Sequence, residues 1–371
     1  VGEGQTIIST AFPTGTKVVS NVGGTVTVDQ NAVSTGAVNV TFDNNVDVSG
    51  GVVSLHPYVF VFGNDGLIRN CAAGNTNDWV SADANEVNVA TGKIVQGLVV
   101  RGGSNAPSGL FWSLDSLVRV SYNPTTVNVG GSARTLYWRY DILSTQSSIL
   151  SSQSAIEYDG IYYWCGVDRF LLYNGVVKEI PNNMNQNYFF DNLNYSQRQK
   201  VWVSKVPRFG EVWWFYPRGD ATECTDAIIY NIREKSWWEG TIAASGLEPM
   251  CSSVIYDNPF SATMYCGGRD GKVYTIDHTV YTDAGTKYTC LWASKQFDAG
   301  KMMKTMGSAS GAHEFDTFQI QKLAVMAKSG KCKAQLRMGP SLDQQRTSDV
   351  LSLDFNGTKS DRYVTFRDGD R

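Results

Sequence analysis

Histidine is nearly missing. There are three in 371 residues, His56, His278 and His313, far apart and in no HExxH or HxH arrangement. A histidine-based metal centre or catalytic triad therefore has little to be built from. Charge is scarce as well, at 18 % of residues where about 25 % is usual. Lys and Arg number 32 against 35 Asp and Glu, a formal net charge of -3. With no run of five basic residues, this balance argues against a protein that grips nucleic acid with a basic face. No stretch of about 18 apolar residues occurs, so no membrane-spanning helix is expected. The opening Val1-Gly2-Glu3-Gly4 has neither an initiator Met nor a charged-then-apolar signal pattern. The expectation is a processed or partial chain, and the closing Gly369-Asp370-Arg371 likewise reads as an interruption.

The seven cysteines, Cys71, Cys165, Cys224, Cys251, Cys266, Cys290 and Cys332, are odd in number and contain no CxxC pair. A disulfide scaffold is denser and usually even, and a zinc site needs paired spacings. The expected state is buried free thiols in a chain folded in a reducing cytosol.

What is present is apolar and aromatic. Hydrophobic residues make up 42 % of the chain, which excludes disorder as the main state. At about 150 residues per domain, the length gives two to three domains. Ten Trp, 18 Tyr and 16 Phe stand beside 36 Gly. Aromatics favour pleated, half-buried surfaces and glycine supplies tight turns, so the mixture reads as β-rich with many turns. Helical periodicity is rare. The best helix candidate runs from Phe190 to Lys200, with Asp191 as its cap.

One pattern recurs: an aromatic strand, a turn of small or acidic residues, then a second apolar strand. It occupies Tyr58–Ile68, Leu110–Val118 and Tyr162–Tyr173. It returns, with a longer turn, in Val212–Tyr216 plus Asp226–Tyr230, and finally in Met264–Tyr274. The turn aspartates Asp65, Asp115, Asp168, Asp226 and Asp270 are 50, 53, 58 and 44 residues apart. A second aromatic register, Trp79, Trp138, Phe189, Trp238 and Trp292, has spacings of 59, 51, 49 and 54. A repeat of about 50 residues fits a four-stranded propeller blade. A lone blade buries its apolar faces poorly, and radial stacking covers both. The expected fold is all-β: a β-propeller of about five to six four-stranded blades over residues 51–300, with small flanking β modules. Residues 1–50, rich in Val, Thr, Asn and Gly, form one module. Residues 301–371 open with the linker Gly307-Ser308-Ala309-Ser310-Gly311. They continue as a hairpin of Phe318–Val325 and Cys332–Arg337 around Lys328-Ser329-Gly330, either closing the propeller or forming a ring platform.

Four features bear on chemistry. Gly267-Gly268-Arg269-Asp270-Gly271-Lys272-Val273 superficially resembles a phosphate loop, but is one residue short and has Val273 where Ser or Thr would hold magnesium. It reads as a structural turn. The five turn aspartates would suit a carboxylate ring for calcium or for acid–base work on a sugar, yet Asp is favoured in β-turns for its local backbone bonds. The pairs Trp213-Trp214 and Trp237-Trp238 would suit stacking platforms, but neighbours on a strand point to opposite faces, and both faces of a blade are packed. The loop from Gly103 to Gly109 makes no identifiable chemical demand. No catalytic, cofactor-binding or metal-binding residue is assigned, and no cofactor is expected.

The run Asp168-Arg169-Phe170-Leu171-Leu172-Tyr173-Asn174-Gly175, then Ile180-Pro181-Asn182, Asp191-Asn192-Leu193-Asn194 and Gln199-Lys200-Val201-Trp202, resembles tail proteins of bacteriophages. So do Gly210-Glu211-Val212-Trp213-Trp214-Phe215-Tyr216-Pro217, Tyr230-Asn231 and Trp237-Trp238-Glu239-Gly240. The specific similarity is to the tail nozzle proteins of short-tailed phages, also called tail tubular protein B or packaged-DNA stabilisation proteins. It is strongest over residues 160–245. Gly15–Val19 leading to Val38–Phe42 is similar to a β module common in virion proteins, and Arg362–Arg367 to the family's C-terminal strand. The resemblance implies a non-enzymatic subunit of the virion tail, assembled in the host bacterial cytoplasm. It implies a homo-oligomeric ring, most simply a hexamer, which gates the DNA channel in genome retention and ejection. Its partners would be tail adaptor or portal-proximal proteins and tail fibres or spikes, with phage DNA passing through the lumen without sequence-specific binding. Two other readings are a carbohydrate-binding propeller for host-receptor recognition and a propeller glycosidase or lyase. The first needs exposed aromatics beside polar groups, the second two carboxylates about 5–10 Å apart.

Overall fold

The computed structural model describes residues 1, 5–43, 48–101, 106–129, 132–181, 186–242, 249–258, 261–277, 280, 282–283, 285–287, 291, 322–326, 331–335, 337–338, 346–347, 351–354 and 361–365. Regular structure among them is β-strand apart from one short α-helix and two 3-10 turns, so the fold is all-β. The chain divides into two compact units, Val1–Tyr288 and Thr289–Arg371.

The first unit opens with β1 (Thr6–Ile8), β2 (Val18–Val22), β3 (Thr25–Val28) and β4 (Thr41–Asp43). β1 pairs with β4, and β2 with β3, both antiparallel. The β2–β3 turn is Gly23-Gly24, at φ 59° and 84°; such a two-residue hairpin needs positive φ at both positions.

Five antiparallel sheets follow, each a meander of consecutive strands. The first is β5 (Gly51–Leu55), β6 (Tyr58–Phe62), β7 (Leu67–Asn70) and β8 (Asn85–Asn88). The second is β9 (Ile94–Val99), β10 (Ser108–Ser113), β11 (Leu117–Val129) and β12 (Ser132–Ser144). The third is β13 (Ala155–Tyr158), β14 (Ile161–Cys165), β15 (Phe170–Tyr173) and β16 (Val177–Glu179). The fourth is β17 (Trp202–Val206), β18 (Glu211–Tyr216), β19 (Asp226–Asn231) and β20 (Ser236–Thr241). The fifth has three described strands, β21 (Pro249–Asn258), β22 (Ser261–Gly268) and β23 (Val273–Ile276). Neighbouring sheets meet along their first strands: β5 lies beside β9, β9 beside β13, β13 beside β17, and β17 beside β21.

The recurrent hairpins of the sequence are the middle pairs of these sheets, β6–β7 through β22–β23. Their period-two pattern explains the packing. On β10, Phe111 joins Phe60, Phe62 and Val118 in a core between the first and second sheets, while Leu110 and Trp112 join Tyr162 and Trp164 between the second and third. On β14, Tyr163 and Cys165 turn the other way, to Trp214 and Tyr216 of the fourth sheet. Phe215 of β18 faces Met264 and Cys266 of the fifth. The middle strands of the second, third and fourth sheets thus carry two apolar faces because a sheet lies on either side. Several indoles place their polar edge on a carbonyl: Trp164 Nε1 donates to Ser148 O at 3.1 Å and Trp237 Nε1 to Pro181 O at 2.9 Å.

The second aromatic register does not mark equivalent positions. Trp79 lies between β7 and β8, Trp138 and Trp238 lie on outer strands, and Phe189 sits on a helix; Trp292 is outside the described residues. Side-chain type alone does not say which strand of a sheet it belongs to. The candidate helix over Phe190–Lys200 is two elements. α1 (Gln186–Asn192) ends as a 3-10 turn, Tyr195–Lys200, prepares to begin. The cap is Asn194, whose Oδ1 accepts from the Ser196 N–H at 3.2 Å, and Asp191 sits in the last turn of α1.

Two short strands, β24 (Thr282–Asp283) and β25 (Thr286–Lys287), pair near the end of this unit. In the second unit the described strands are β26 (Lys322–Met326), β27 (Lys331–Ala334), β28 (Arg337–Met338), β29 (Arg346–Thr347), β30 (Leu351–Asp354) and β31 (Asp361–Thr365). Among the described residues, the two strands flanking Lys328-Ser329-Gly330 pair elsewhere than in the expected hairpin: β26 pairs with β31, β27 with β30 and β28 with β29. Alternation made these segments strands but did not choose their partners, which lie about 20 to 40 residues away. The Lys328–Gly330 turn, the linker Gly307–Gly311, Cys290, His278 and His313 fall outside the described residues.

Candidate functional site

Asp65, Asp115, Asp168 and Asp270 map to one connection, that between the second and third strands of a sheet, and Asp226 is the first residue of the third strand that follows it. Asp65, at φ 52°, occupies a 3-10 turn, where its carbonyl accepts from Asn88 Nδ2 at 2.8 Å. Asp115 Oδ1 accepts from Ser113 Oγ at 2.5 Å. Asp168 holds Arg169 through two 3.1 Å bonds. Asp226 differs: it begins β19, is buried, and accepts from Thr225 Oγ1 at 2.7 Å and Thr241 Oγ1 at 2.8 Å. Most of these bonds stay within the aspartate's own sheet, while the Asp65 turn also lies beside β9 of the second sheet and Asp115 Oδ2 accepts from Thr91 Oγ1 at 3.5 Å in the connection from the first sheet. The carboxylates are turn formers.

The fifth of these turns is the phosphate-loop look-alike. Gly268 N–H donates to Lys272 O at 2.7 Å, Gly271 N–H to Gly268 O at 3.1 Å, and Lys272 N–H to Asp270 Oδ1 at 3.1 Å. A phosphate cradle needs such N–H groups free; here they close a hairpin. Asp270 Oδ2 also accepts from Tyr274 OH at 2.6 Å and pairs with Lys272 Nζ at 2.8 Å. These donors, the Lys272 side chain first, hold the Asp270 carboxyl at about 2. A folded value below the ordinary one stabilises the turn above about pH 4, and the contribution fades as pH falls towards 2. A carbon-detected carboxylate titration is expected to place the Asp270 midpoint near 2. A midpoint near 3.8 would show that these bonds do not persist in solution.

The aromatic pairs divide as their alternation requires. Trp214 is fully buried, and Trp237 is buried beside it with ring centroids 6.1 Å apart. Trp213 is half-buried on the opposite face, its Nε1 donating to Glu211 Oε2 at 2.9 Å. Trp202 and Phe215 stack at 4.0 Å on that same face. Trp238 alone of the four is open, at 49 % exposure.

Between the first and second sheets lies a shallow cleft of about 430 Å³, lined by Asn88, Thr91, Asp115, Ser116, Ile142 and Thr145 among others. Asp115 is the single carboxylate of this lining, so the cleft offers hydroxyl and amide contacts but not the pair that glycoside hydrolysis uses. Among the described residues no three His, Cys, Asp or Glu side chains converge as a metal centre would require. Cys71, Cys165, Cys224 and Cys266 are free and buried. Burial pushes the Cys165 thiol well above its ordinary value and that of Cys224 up to about 12, which keeps both as unreactive thiols.

One feature escaped the sequence reading. β11 and β12 are 13 residues each, and pairing with β10 ends at Ser121. Beyond a bulge between Tyr122 and Thr125, Thr125–Val129 pairs, among the described residues, with Ser132–Leu136, a two-stranded ribbon past the end of β10. Five residue pairs extend roughly 17 Å. The signal was Gly130-Gly131 set between alternating Thr, Val and Asn, a hairpin signature lacking the aromatics that marked the other hairpins. No protein-family model matches the chain, and no curated protein matches it.

Proposed function

We propose that this chain is a non-enzymatic structural subunit of a bacteriophage tail, of the nozzle kind, whose consecutive sheets are blades of a β-propeller. The observation that carries the reading is the arrangement of the five sheets. Their first strands are neighbours in series, and the middle strands of the second to fourth sheets are packed on both faces by the sheets before and after. Wedge-shaped sheets around a common axis have this order, first strand innermost. The run from Asp168 to Gly240 supports the phage assignment: its described segments lie in the second half of the third sheet, in the fourth sheet and in the helical connection between them.

The mechanism is mechanical. Interdigitated aromatic cores make each blade stiff, so the subunit keeps its shape while ring contacts carry the load. A formal charge of -3 on 371 residues offers DNA few cationic holds, and a sliding polymer is slowed by phosphate contacts. Buried free thiols suit assembly in the host cytoplasm before release in the virion.

The test is the mass of the assembled protein. Light scattering on the purified chain is expected to give six times the 40.8 kDa subunit, and negative-stain images a six-fold ring. A strict monomer within intact particles would defeat the proposal. Micromolar binding on a glycan array, without a ring, would favour receptor recognition instead.

A further inference from the structure

We propose that Asn174 is a site of spontaneous covalent modification. Its side-chain amide is displaced by the backbone nitrogen of Gly175, and the β15–β16 turn is left with an aspartyl or isoaspartyl residue. The inference is independent of the ring reading above.

Asn-Gly occurs twice in the sequence, as Asn174-Gly175 and Asn356-Gly357, and the second pair is outside the described residues. An asparagine amide is lost when the next backbone nitrogen reaches its Cγ, and a side chain on the following residue ordinarily stands in the way. Glycine has no such side chain and its backbone rotates freely. Gly175 is at φ +105°, and nothing lies within 4 Å of where a Cβ on it would stand. Asn174, Gly175 and Val176 are all exposed, so water and hydroxide reach the turn. The backbone bond across the turn runs from the Asn174 N–H to Val176 O, at a long 3.4 Å. It engages neither the attacking nitrogen nor the amide that leaves. Asn70, Asn192 and Asn194 differ on both counts. Each has its Nδ2 bonded to a carbonyl, and they precede Cys71, Leu193 and Tyr195.

The Gly175 nitrogen gives its proton to hydroxide and bonds to Asn174 Cγ. The tetrahedral carbon expels Nδ2, which takes a proton from water and leaves as ammonia, and a five-membered succinimide remains. Water then opens the ring. Addition at Cγ restores the ordinary backbone with an aspartyl side chain. Addition at the main-chain carbonyl of the same residue routes the backbone through Cγ, as isoaspartate. The sum is amide plus water to carboxylate plus ammonium, with no oxidant or reductant. One negative charge is added to the formal -3. Isoaspartate also lengthens the main chain by one carbon, next to the register pair Tyr173 and Val177. Tyr173 is buried and Val177 packs on the same core between the second and third sheets. β16 pairs with β15 at three residues, so a longer turn works directly against that short register.

In the experiment the folded full chain is incubated at neutral and at mildly alkaline pH, digested with trypsin and followed by mass spectrometry. Cleavage after Arg169 and Lys178 releases Phe170–Lys178, in which Asn174 is the single amide side chain. The expected result is conversion of this peptide into two heavier forms, aspartyl and isoaspartyl. Conversion is faster at the higher pH and runs ahead of that at Asn70, Asn192 and Asn194. Gly175→Ala is expected to slow it roughly tenfold, an added barrier of about 1.4 kcal/mol. Alanine is strained at this φ, so Asn174→Gln serves as the second variant. It keeps the glycine but has to close a six-membered ring, and its peptide is expected to stay at its starting mass. Near-UV circular dichroism checks that each form is folded. A peptide that stays unmodified in the folded chain, while the guanidinium-unfolded chain converts, would overturn the proposal, because the turn would then hold Gly175 away from Cγ. An aspartyl form without an isoaspartyl partner would also overturn it, since direct hydrolysis by water gives aspartate alone.

Discussion

Trp214→Ala is expected to lower stability by about 3–5 kcal/mol, the cost of an emptied large core site. Trp214 is completely buried between the third and fourth sheets. Its ring centroid lies 4.9 Å from that of Phe170, and its Nε1 donates to Ser154 O at 3.0 Å. That carbonyl also accepts from the Cys165 N–H at 3.3 Å, so the loss comes chiefly from the cavity. Against a total of about 5–15 kcal/mol the change is large, and a fall of roughly 10 °C in Tm should accompany it. The control is Trp238→Ala. With 49 % of that residue exposed in the single chain, the expected change in the monomer is within about 1 kcal/mol. Equal shifts for the two in scanning calorimetry would contradict the packing of the third sheet on the fourth.

Gly66→Ala is the second large effect, and its cause is backbone. Gly66 has φ +69°, and a Cβ there would lie 1.9 Å from Ala90 O and 2.4 Å from Ala90 N. The approach is close because the Val89 N–H donates to Gly66 O at 2.9 Å, which ties the end of the first sheet to the turn. Neither side can yield by a rotamer change. A loss of about 3 kcal/mol or more is expected, close to what a marginal domain can tolerate. Gly160→Ala separates the two ingredients. At φ +76° it shares the left-handed backbone but has nothing within 4 Å of the added carbon, so about 1–2 kcal/mol is expected. Denaturant midpoints that rank Gly160→Ala at or above Gly66→Ala would show that the Ala90 contact is absent.

Several features were legible because they are local. The five hairpins repeat because an aromatic strand, a tight turn and a second apolar strand are specified within about a dozen residues. Asp65, Asp115, Asp168 and Asp270 mark the turns by bonds to groups within the same sheet. The Gly268–Lys272 turn was identified as structural from its missing residue and from Val273, and its N–H groups are indeed consumed within the hairpin. The candidate site was less legible. Trp238 has the same residue type as Trp237, and only the face each takes on β20 makes Trp237 covered by the third sheet and Trp238 open. The ribbon lacks the aromatics that mark the other hairpins, so Gly130-Gly131 set between alternating Thr, Val and Asn is its one local signal. The cap of the helical segment moved from Asp191 to Asn194 because the chain turns there to meet Ala221 O, which accepts from Asn194 Nδ2 at 3.0 Å.

The sequence by itself determined that this protein is all-β, where its meander hairpins lie, and which strands carry two apolar faces. Those properties follow from side-chain alternation and turn chemistry, which act over a few residues. Tertiary structure alone decided two other things: the partners of β26 to β31, and the length by which β11 and β12 run on past the end of their pairing with β10. Each depends on which backbone edges meet, and edge N–H and C=O groups are alike at every residue, so distant segments are distinguished only once the sheets have packed.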